Sequence, residues 1–408
     1  MNASTALTAP AITATAAVVD GAGPAPGALQ LERAPAVVAA VAPEPALPDH
    51  LVGDALLRDQ LDLDAIERVD DHYEIALPGD RRAVLTLDPE IQEAAEKVLV
   101  RAKAPYGAVV VMAVDGRLLA LAGRKTEAPA VDRDPTLATT IWAPAASIFK
   151  IVTAAALVEA GVDRNTEVCF HGGIRSVMES NLADSRRDNR CENLAYGVAR
   201  SQNAIIAKLA QQHLEPALLQ ASAHRFGFDE PLDGALTAQS GRVTVPEVKG
   251  VDFAKVAAGF RASELSPLGG ALVANTIASG GERVTPRIVA AVIDGERRIE
   301  VRGAAATRVL EPRVARQVAA MMRETCDHGS AAKAFREGRS TLVRDHGVAG
   351  KTGTLDRDEP YLEYSWFVGF APVARPEVSI AVLLGNGQLW HLKANSAARL
   401  VLEAALAR

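Results

Sequence analysis

The chain has 408 residues, a formal net charge of −6 and a hydrophobic content of 49%. These values are typical of a soluble globular protein with one large domain and a smaller appendage. They give no sign of a basic nucleic-acid-binding surface, and the 4% aromatic content argues against platforms that stack single-stranded nucleic acid. The three cysteines form no C-x-x-C and the eight histidines form no H-x-x-x-H. We therefore expect no metal site and no cofactor.

The N-terminal region differs in composition from the rest of the chain. Residues 1–50 are rich in Ala, Pro, Thr and Val, and Arg33 is their only Lys or Arg. Prolines interrupt every apolar run before it reaches the roughly 18–20 residues that a membrane span needs. Met1–Thr5 also lacks the positive charge that opens a secretory signal. We predict a disordered segment at residues 1–50 and a short charged linker at residues 51–82.

A folded domain is predicted from residue 83 to the C-terminus. Residues 83–87 are typical of a short strand, and Asp88-Pro89 is typical of the start of a helix, with an acidic N-cap followed by proline. Farther on, Asp115-Gly116 separates two apolar runs, a pattern that favours a β-hairpin. We predict that these two runs are the first strands of a central antiparallel sheet.

An apolar helical pattern begins near Ser147, after small residues and Pro144. Lys150 follows Ser147 by one helical turn, so the two side chains lie on the same face of the predicted helix. A neutral lysine amine in this position can remove the hydroxyl proton, and the helix N-terminus favours developing negative charge. The pattern S-x-x-K also occurs by chance in many proteins, so this motif alone does not establish catalysis.

A polar, loop-like stretch containing the charged run 184–190 lies between Cys169 and Cys191. One interpretation is that a disulfide closes this loop, which would stabilise the fold by about 3 kcal/mol in the loop-entropy model. Such a bond would place the protein in an oxidising compartment. The alternative is two unpaired thiols. The third cysteine, Cys326, lies in a later predicted helix and is most simply a small core residue.

Two helical patterns, at residues 192–200 and 204–213, are separated by Ser201-Gln202-Asn203. A polar triplet at this position is ordinarily a helix N-cap. In a cleft wall the same residues acquire chemical roles. Ser201 would pass a proton to a leaving amine, and the Asn203 amide would both donate to and accept from a substrate peptide bond.

The C-terminal part is predicted to contain a helix at residues 310–327, three neighbouring antiparallel strands and a final helix at residues 394–407. The first strand carries Lys351-Thr352-Gly353-Thr354. On an ordinary edge strand this lysine would only discourage aggregation. In a cleft its ammonium would bind a carboxylate and help to keep Lys150 neutral. Thr352 and Thr354 would then offer hydroxyls to that carboxylate, and Gly353 would let a ligand backbone lie against the strand.

Ser-x-x-Lys, Ser-x-Asn and Lys-Thr-Gly, in this order, form the motif set of penicillin-binding proteins and serine β-lactamases. From about residue 83 to the C-terminus the chain resembles a penicillin-binding protein transpeptidase domain. The resemblance implies an α/β (α+β) fold with a central antiparallel sheet of about five strands, flanking helices and an all-helical subdomain. It also allows residues 51–82 to be a remnant of the pedestal that precedes this domain in longer relatives.

The resemblance implies a peptidoglycan D,D-transpeptidase that forms an acyl-enzyme with stem peptides ending in D-alanyl-D-alanine. Penicillin and other β-lactams would acylate the same serine. The implied roles are catalytic for Ser147, Lys150 and Ser201, and substrate-binding for Asn203, Lys351, Thr352, Gly353 and Thr354. The backbone N–H groups of Ser147 and Thr354 would form the oxyanion hole.

The resemblance also implies partners and a location. Peptidoglycan stem peptides, β-lactam antibiotics and a cell-wall synthesis complex are the expected partners, and no nucleic acid is expected. The implied location is the cell envelope, on the periplasmic side of the cytoplasmic membrane, although family members usually carry an N-terminal anchor helix that this sequence does not show. Because that location is oxidising, we favour the Cys169–Cys191 disulfide.

Three alternative functions share these motifs: a serine β-lactamase, a D,D-carboxypeptidase and a non-catalytic penicillin-binding sensor domain. The chain has no Glu-x-x-Leu-Asn segment, which positions the deacylating water in one class of β-lactamase. Another class uses a modified lysine at the position of Lys150. All three motifs are intact, which argues against an idle sensor domain.

Overall fold

The computed structural model describes residues 47–407, apart from 128, 129, 261, 339, 358 and 360. The predicted disordered segment at residues 1–50 therefore lies outside the described residues except for residues 47–50. At its end the prediction is wrong, because His50 begins a strand that pairs with a later part of the chain. Within the described residues, no helix combines the length and the apolar character needed to cross a membrane.

Helices and strands alternate along most of the chain. The described helices are α1 (Pro89–Ala102), α2 (Lys150–Glu159), α3 (Leu194–Ala199), α4 (Asn203–His213), α5 (Pro216–Arg225), α6 (Val251–Ala257), α7 (Pro267–Ala278), α8 (Pro312–Asp327), α9 (Ala332–Phe335), α10 (Leu342–Asp345) and α11 (Ala394–Ala405). The described strands are β1 (His50–Val52), β2 (Glu67–Val69), β3 (His72–Leu77), β4 (Arg81–Leu85), β5 (Tyr106–Ala113), β6 (Leu118–Glu127), β7 (Ala130–Arg133), β8 (Ala143–Pro144), β9 (Glu167–Phe170), β10 (Arg190–Asn193), β11 (Gly241–Val243), β12 (Ser263–Leu265), β13 (Glu282–Arg283), β14 (Val289–Asp294), β15 (Arg297–Arg302), β16 (Thr307–Arg308), β17 (Ala349–Arg357), β18 (Leu362–Ala371) and β19 (Val378–Asn386).

The central sheet is antiparallel and has six strands in the order β17-β18-β19-β5-β6-β7. The predicted hairpin and the three predicted C-terminal strands are all present, and β7 is an additional edge strand. Helices cover both faces of the sheet, so its strands are apolar without alternation. Val109 and Val111 lie in the core with α1 and α11, whereas Val110 and Met112 lie in the core with α2 and α7.

The region between β7 and β13 is predicted to be all-helical, but it contains the short strands β8–β12 as well as the helices α2–α7. β9 pairs with β10, and β12 pairs with both β11 and β8. α8 packs against β17, whereas α7 packs against β5, β18 and β19. β17 is an edge strand of the central sheet, so one side of its backbone faces this region rather than another strand.

A second sheet has six strands in the order β1-β15-β14-β4-β3-β2. The segment 51–82, predicted as a linker or pedestal remnant, thus forms strands, and β4 extends across the predicted boundary at residue 83. Its pairing partners, β14 and β15, lie some two hundred residues later in the chain, a distance at which a local sequence pattern carries no information about pairing.

Asp54 fastens this N-terminal segment to the rest of the fold. Its buried carboxylate accepts backbone N–H groups from Ala235 and Ile288, each at 2.8 Å, and from Val289 at 3.2 Å. One side chain therefore satisfies three buried donors on two distant segments. These hydrogen bonds in turn offset the cost of burying the carboxylate.

Candidate active site

Ser147 lies in a tight turn rather than in an α-helix. Residues Ala146–Phe149 form a 3₁₀ turn, and the predicted α-helix begins only at Lys150. Ala146 has a φ of 51°, in the left-handed region that non-glycine residues rarely adopt. Its carbonyl oxygen packs on Gly259, where an added Cβ would lie only 2.1 Å away. Strain of this kind persists where surrounding contacts impose it, often at functional sites.

Lys150 is fully buried directly beneath Ser147. Its Nζ lies 2.6 Å from Ser147 Oγ and 2.6 Å from the carbonyl oxygen of Ala258, the C-cap of α6. Burial lowers the pKa of Lys150 well below its ordinary value, and the nearby charge of Lys351 lowers that pKa further. Burial therefore favours the neutral form of an amine that lies within hydrogen-bonding distance of a serine hydroxyl.

Lys351 forms a second buried lysine–serine pair. Its Nζ lies 2.9 Å from Ser201 Oγ and donates to the Thr352 carbonyl at 2.8 Å. Burial lowers the pKa of Lys351 to about 7. Ser201 lies between α3 and α4 with a φ of 57°, so this serine is also held in the left-handed region.

Asn203 begins α4 beside the cleft, and the side chain of Gln202 caps that helix. The Asn203 Nδ2 donates to the Ile174 carbonyl at 2.9 Å. The amide nitrogen that we expect to contact a substrate peptide bond therefore already has an acceptor within the protein.

These side chains border one cleft of about 660 Å³, a size suited to a peptide-like ligand. The structure thus brings the three motifs together, with Lys150 and Lys351 buried beneath the surface residues. The sequence-predicted residues in the cleft lining are Ser147, Ser201, Asn203, Thr352, Gly353 and Thr354. Thr352 Oγ1 is hydrogen-bonded to Ser330 Oγ.

Gly353 has close neighbours within the protein. An added Cβ would lie 3.2 Å from the Trp366 Cβ, 3.3 Å from the Ala146 Cβ and 3.4 Å from the Ile148 Cδ1. The glycine therefore makes room for β18 and for the turn that carries Ser147, while its contact with a ligand backbone stays a prediction. The sequence indicates that something approaches this position closely, but not which segment does so.

A family model described as "Penicillin binding protein transpeptidase domain" matches residues 106–406. The chain belongs to this family. Penicillin-binding protein PbpB of Mycolicibacterium smegmatis is 26% identical over 327 residues, which cover 74% of this chain and 50% of that protein. Peptidoglycan D,D-transpeptidase PbpA of Mycobacterium tuberculosis is 26% identical over 259 residues, which cover 60% of this chain and 50% of that protein.

The chain is also similar in fold to solved members of this family. Penicillin-binding protein A from M. tuberculosis, in an imipenem acyl-enzyme complex, superposes with a TM-score of 0.64 at 24% identity, covering 79% of each chain. The present chain spans about half the length of the curated relatives that it matches.

Several residues of this penicillin-binding fold were not identified from the sequence. Ala258, which accepts from Lys150, and Gly259, which packs on Ala146, follow an apolar helix. A glycine there predicts only the end of the helix. Ile174 and Arg175 also line the cleft. They belong to the loop between Cys169 and Cys191, whose sulfurs form a disulfide in the structure.

Proposed function

We propose that this chain is the acyl-transferring part of a peptidoglycan D,D-transpeptidase. The observation that carries the proposal is the 2.6 Å separation of Lys150 Nζ and Ser147 Oγ at a place where burial favours the neutral amine. Membership of the family and the relative named as a peptidoglycan D,D-transpeptidase support it. The similar structure of an imipenem acyl-enzyme supports covalent chemistry at Ser147.

Acylation begins when neutral Lys150 accepts the hydroxyl proton of Ser147, whose Oγ attacks the scissile carbonyl. The N–H groups of Ser147 and Thr354 stabilise the resulting oxyanion, and loss of one such donor typically costs about 3 kcal/mol. As the C–N bond breaks, Ser201 gives its proton to the leaving amine. Lys351, 2.9 Å from Ser201 Oγ and with a pKa of about 7, restores that proton.

The donor peptide lies along the open edge of β17 as an added strand. Its terminal carboxylate binds near Lys351, Thr352 and Thr354. We propose stem peptides that end in D-alanyl-D-alanine as donors, and β-lactams as mimics of that end. An amine acceptor completes cross-linking, whereas attack by water gives carboxypeptidase activity.

The test is labelling with a fluorescent penicillin, followed by mass spectrometry of the intact protein and its peptides. We expect one long-lived adduct on Ser147 and none in a Ser147→Ala variant. A label that persists in the variant would refute the assignment of the nucleophile. Rapid release of hydrolysed drug would favour a β-lactamase, and hydrolysis without transfer to an added amine would favour a carboxypeptidase.

We further propose that the chain acts in the cell envelope, outside the cytoplasmic membrane and with other cell-wall synthesis proteins. The substrate requires that side of the membrane, and the Cys169–Cys191 disulfide supports an oxidising compartment. We propose that residues 51–82 are a reduced pedestal and that the transpeptidase domain starts near residue 83, within β4, whose pairing with β14 joins the two parts in one sheet. Cysteine labelling in intact source cells with a membrane-impermeant reagent, before and after reduction, would test the location.

A further inference from the structure

The loop from His171 to Asn189, here called the wall loop, forms one side of the cleft. Its residues Ile174 and Arg175 line the cleft, and the Ile174 carbonyl accepts from Asn203 Nδ2 at 2.9 Å. Gly173 packs on the first turn of α4, where an added Cβ would lie 2.7 Å from the Ala204 nitrogen. The wall loop and the N-terminus of α4 are therefore in direct contact at the cleft.

Lys208, farther along α4, holds both ends of the wall loop. Its side chain is only 1% exposed. The Nζ donates to the Cys169 carbonyl at 2.7 Å and to the carboxylates of Asp188 at 2.8 Å and Asp184 at 2.9 Å. Because Cys169 precedes the loop and the two acids lie near its end, one ammonium closes the loop at its base, beside the Cys169–Cys191 disulfide.

Asp188 is the common acceptor of this network. It accepts from Lys208, from His171 Nδ1 at 2.6 Å and from the Ser185 backbone N–H at 3.0 Å. Burial opposes ionisation of this carboxyl, but the hydrogen bonds from His171 and Lys208 outweigh that effect and lower the pKa of Asp188 to about 2. The pair therefore stays ionised at neutral pH.

A buried ion pair is an inefficient way to gain stability, because desolvation offsets most of the attraction. Apolar side chains would close the base of the loop equally well. Charged hydrogen bonds are directional, however, and they fix the position of the backbone to which they bind. Lys208 therefore specifies where the loop lies relative to α4, and through the loop where the Ile174 carbonyl lies relative to Asn203.

We propose that Lys208 is a positioning residue for acylation: it fixes the wall loop, and the loop orients the Asn203 amide toward the substrate. The inference rests on the proposed function, in which Asn203 binds the scissile peptide. A misplacement of about 1 Å in such a group costs about 100-fold in rate, so an anchor remote from the reacting atoms is expected to matter.

The test is a double-mutant cycle on the second-order rate constant for acylation of Ser147 by a fluorescent penicillin. Lys208→Met and Asn203→Ala should each lower this constant about tenfold or more. The double variant should be no slower than Asn203→Ala alone, within about twofold, because Lys208 acts through Asn203. The control Lys97→Met removes an exposed lysine of α1 that is paired with Glu93, and it should leave the constant unchanged.

Additive losses in the double variant would overturn the proposal, since Lys208 would then act independently of Asn203. A normal rate in a folded Lys208→Met variant would also overturn it. If Lys208→Met does not fold, Asp188→Asn is the second variant, because it removes the negative charge that Lys208 contacts while keeping a side chain of nearly the same size. The same double-mutant cycle with Asn203→Ala then applies. If Asn203→Ala alone is normal, the proposal fails, while Ser147 labelling still tests the proposed function separately.

Discussion

Two buried lysines, Lys150 and Lys351, define the chemistry of the cleft at the scale of single residues. Each contacts a serine hydroxyl and a backbone carbonyl, and in the described part of the chain neither contacts a carboxylate. Without an opposite charge, burial favours the neutral form of each amine and lowers its pKa. The cleft can therefore place a proton acceptor, Lys150, beside Ser147, and a lysine that titrates near neutral pH, Lys351, beside Ser201.

Acylation by an anionic penicillin should slow as pH rises through about 7. Lys351 carries its proton below its pKa of about 7 and loses it above, so attraction for the ligand carboxylate falls on the alkaline side. The pH profile of the second-order rate constant reports this ionisation in the free enzyme.

The matched control for this pH dependence is the methyl ester of the same penicillin, which has no carboxylate. Its reaction should lose less rate near pH 7 than that of the acid, because it lacks the carboxylate contact and keeps only the dependence on the proton that Lys351 returns to Ser201. Equal losses for both compounds would mean that Lys351 does not contribute to recognition of the carboxylate.

The turn before α2 and the strand β17 form an interlocked pair at the scale of elements. Ala146 and Ile148 pack closely against Gly353 on one side of the turn, and the Ala146 carbonyl packs closely against Gly259 on the other side. The position of the Ser147 hydroxyl therefore depends on two glycines that are remote from it in sequence.

Gly353→Ala should slow acylation about tenfold while the protein remains folded. The new methyl group lies 3.2 Å from the Trp366 Cβ and 3.3–3.4 Å from Ala146 and Ile148, so these neighbours, including the turn that carries Ser147, must give way by a few tenths of an ångström. Penicillin kinetics and thermal unfolding measure the two effects. Gly387→Ala is the control, because no atom lies within 4 Å of its added Cβ. An unaltered rate in Gly353→Ala would show that the turn tolerates displacement.

Removal of the Cys169–Cys191 disulfide should lower the free energy of unfolding by about 3 kcal/mol, as expected for a loop of this length. Paired Cys169→Ser and Cys191→Ser substitutions, followed by denaturant unfolding, measure the loss. The wild type treated with reductant should match the variant, and the reductant should not affect the variant. Equal stability of oxidised and reduced protein would contradict the prediction.

The sequence correctly predicted the elements whose signals lie within a few neighbouring residues, such as helix caps and tight turns. Asp88 caps α1 by accepting from Glu90 and Ile91, and Asp115-Gly116 connects β5 to β6, as their sequences indicate. The three motifs also predicted six of the residues that line the cleft, but not Ile174 or Arg175. The packing of Gly353 and the anchoring of the wall loop by Lys208 depend on segments distant in sequence, and a single chain shows no pattern for such contacts.

At the scale of the whole molecule, the segment predicted as a linker is built into the fold. The N-terminal sheet takes β1–β4 from one end of the chain and β14–β15 from its second half. Asp54 connects them through three backbone N–H groups. The N-terminal segment therefore contributes to the stability of the region that follows it.

Asp54→Ala should lower the free energy of unfolding by about 3 kcal/mol or more, because it leaves buried N–H donors unsatisfied. Asp64→Ala, at an exposed position in the same segment, is the control and should change stability little. Denaturant unfolding of both variants measures the difference. If Asp54→Ala lowers the free energy of unfolding no more than Asp64→Ala does, the segment contributes little to the stability of the rest of the molecule.

The low pKa of Lys351 also affects the proton balance of the whole protein. If an anionic ligand binds beside Lys351 as proposed, its carboxylate stabilises the ammonium and raises that pKa, so above neutral pH the protein takes up a proton from solution on binding. The heat of binding would then include the ionisation heat of the buffer. The ligand's negative charge would be neutralised by a proton that the free protein did not carry.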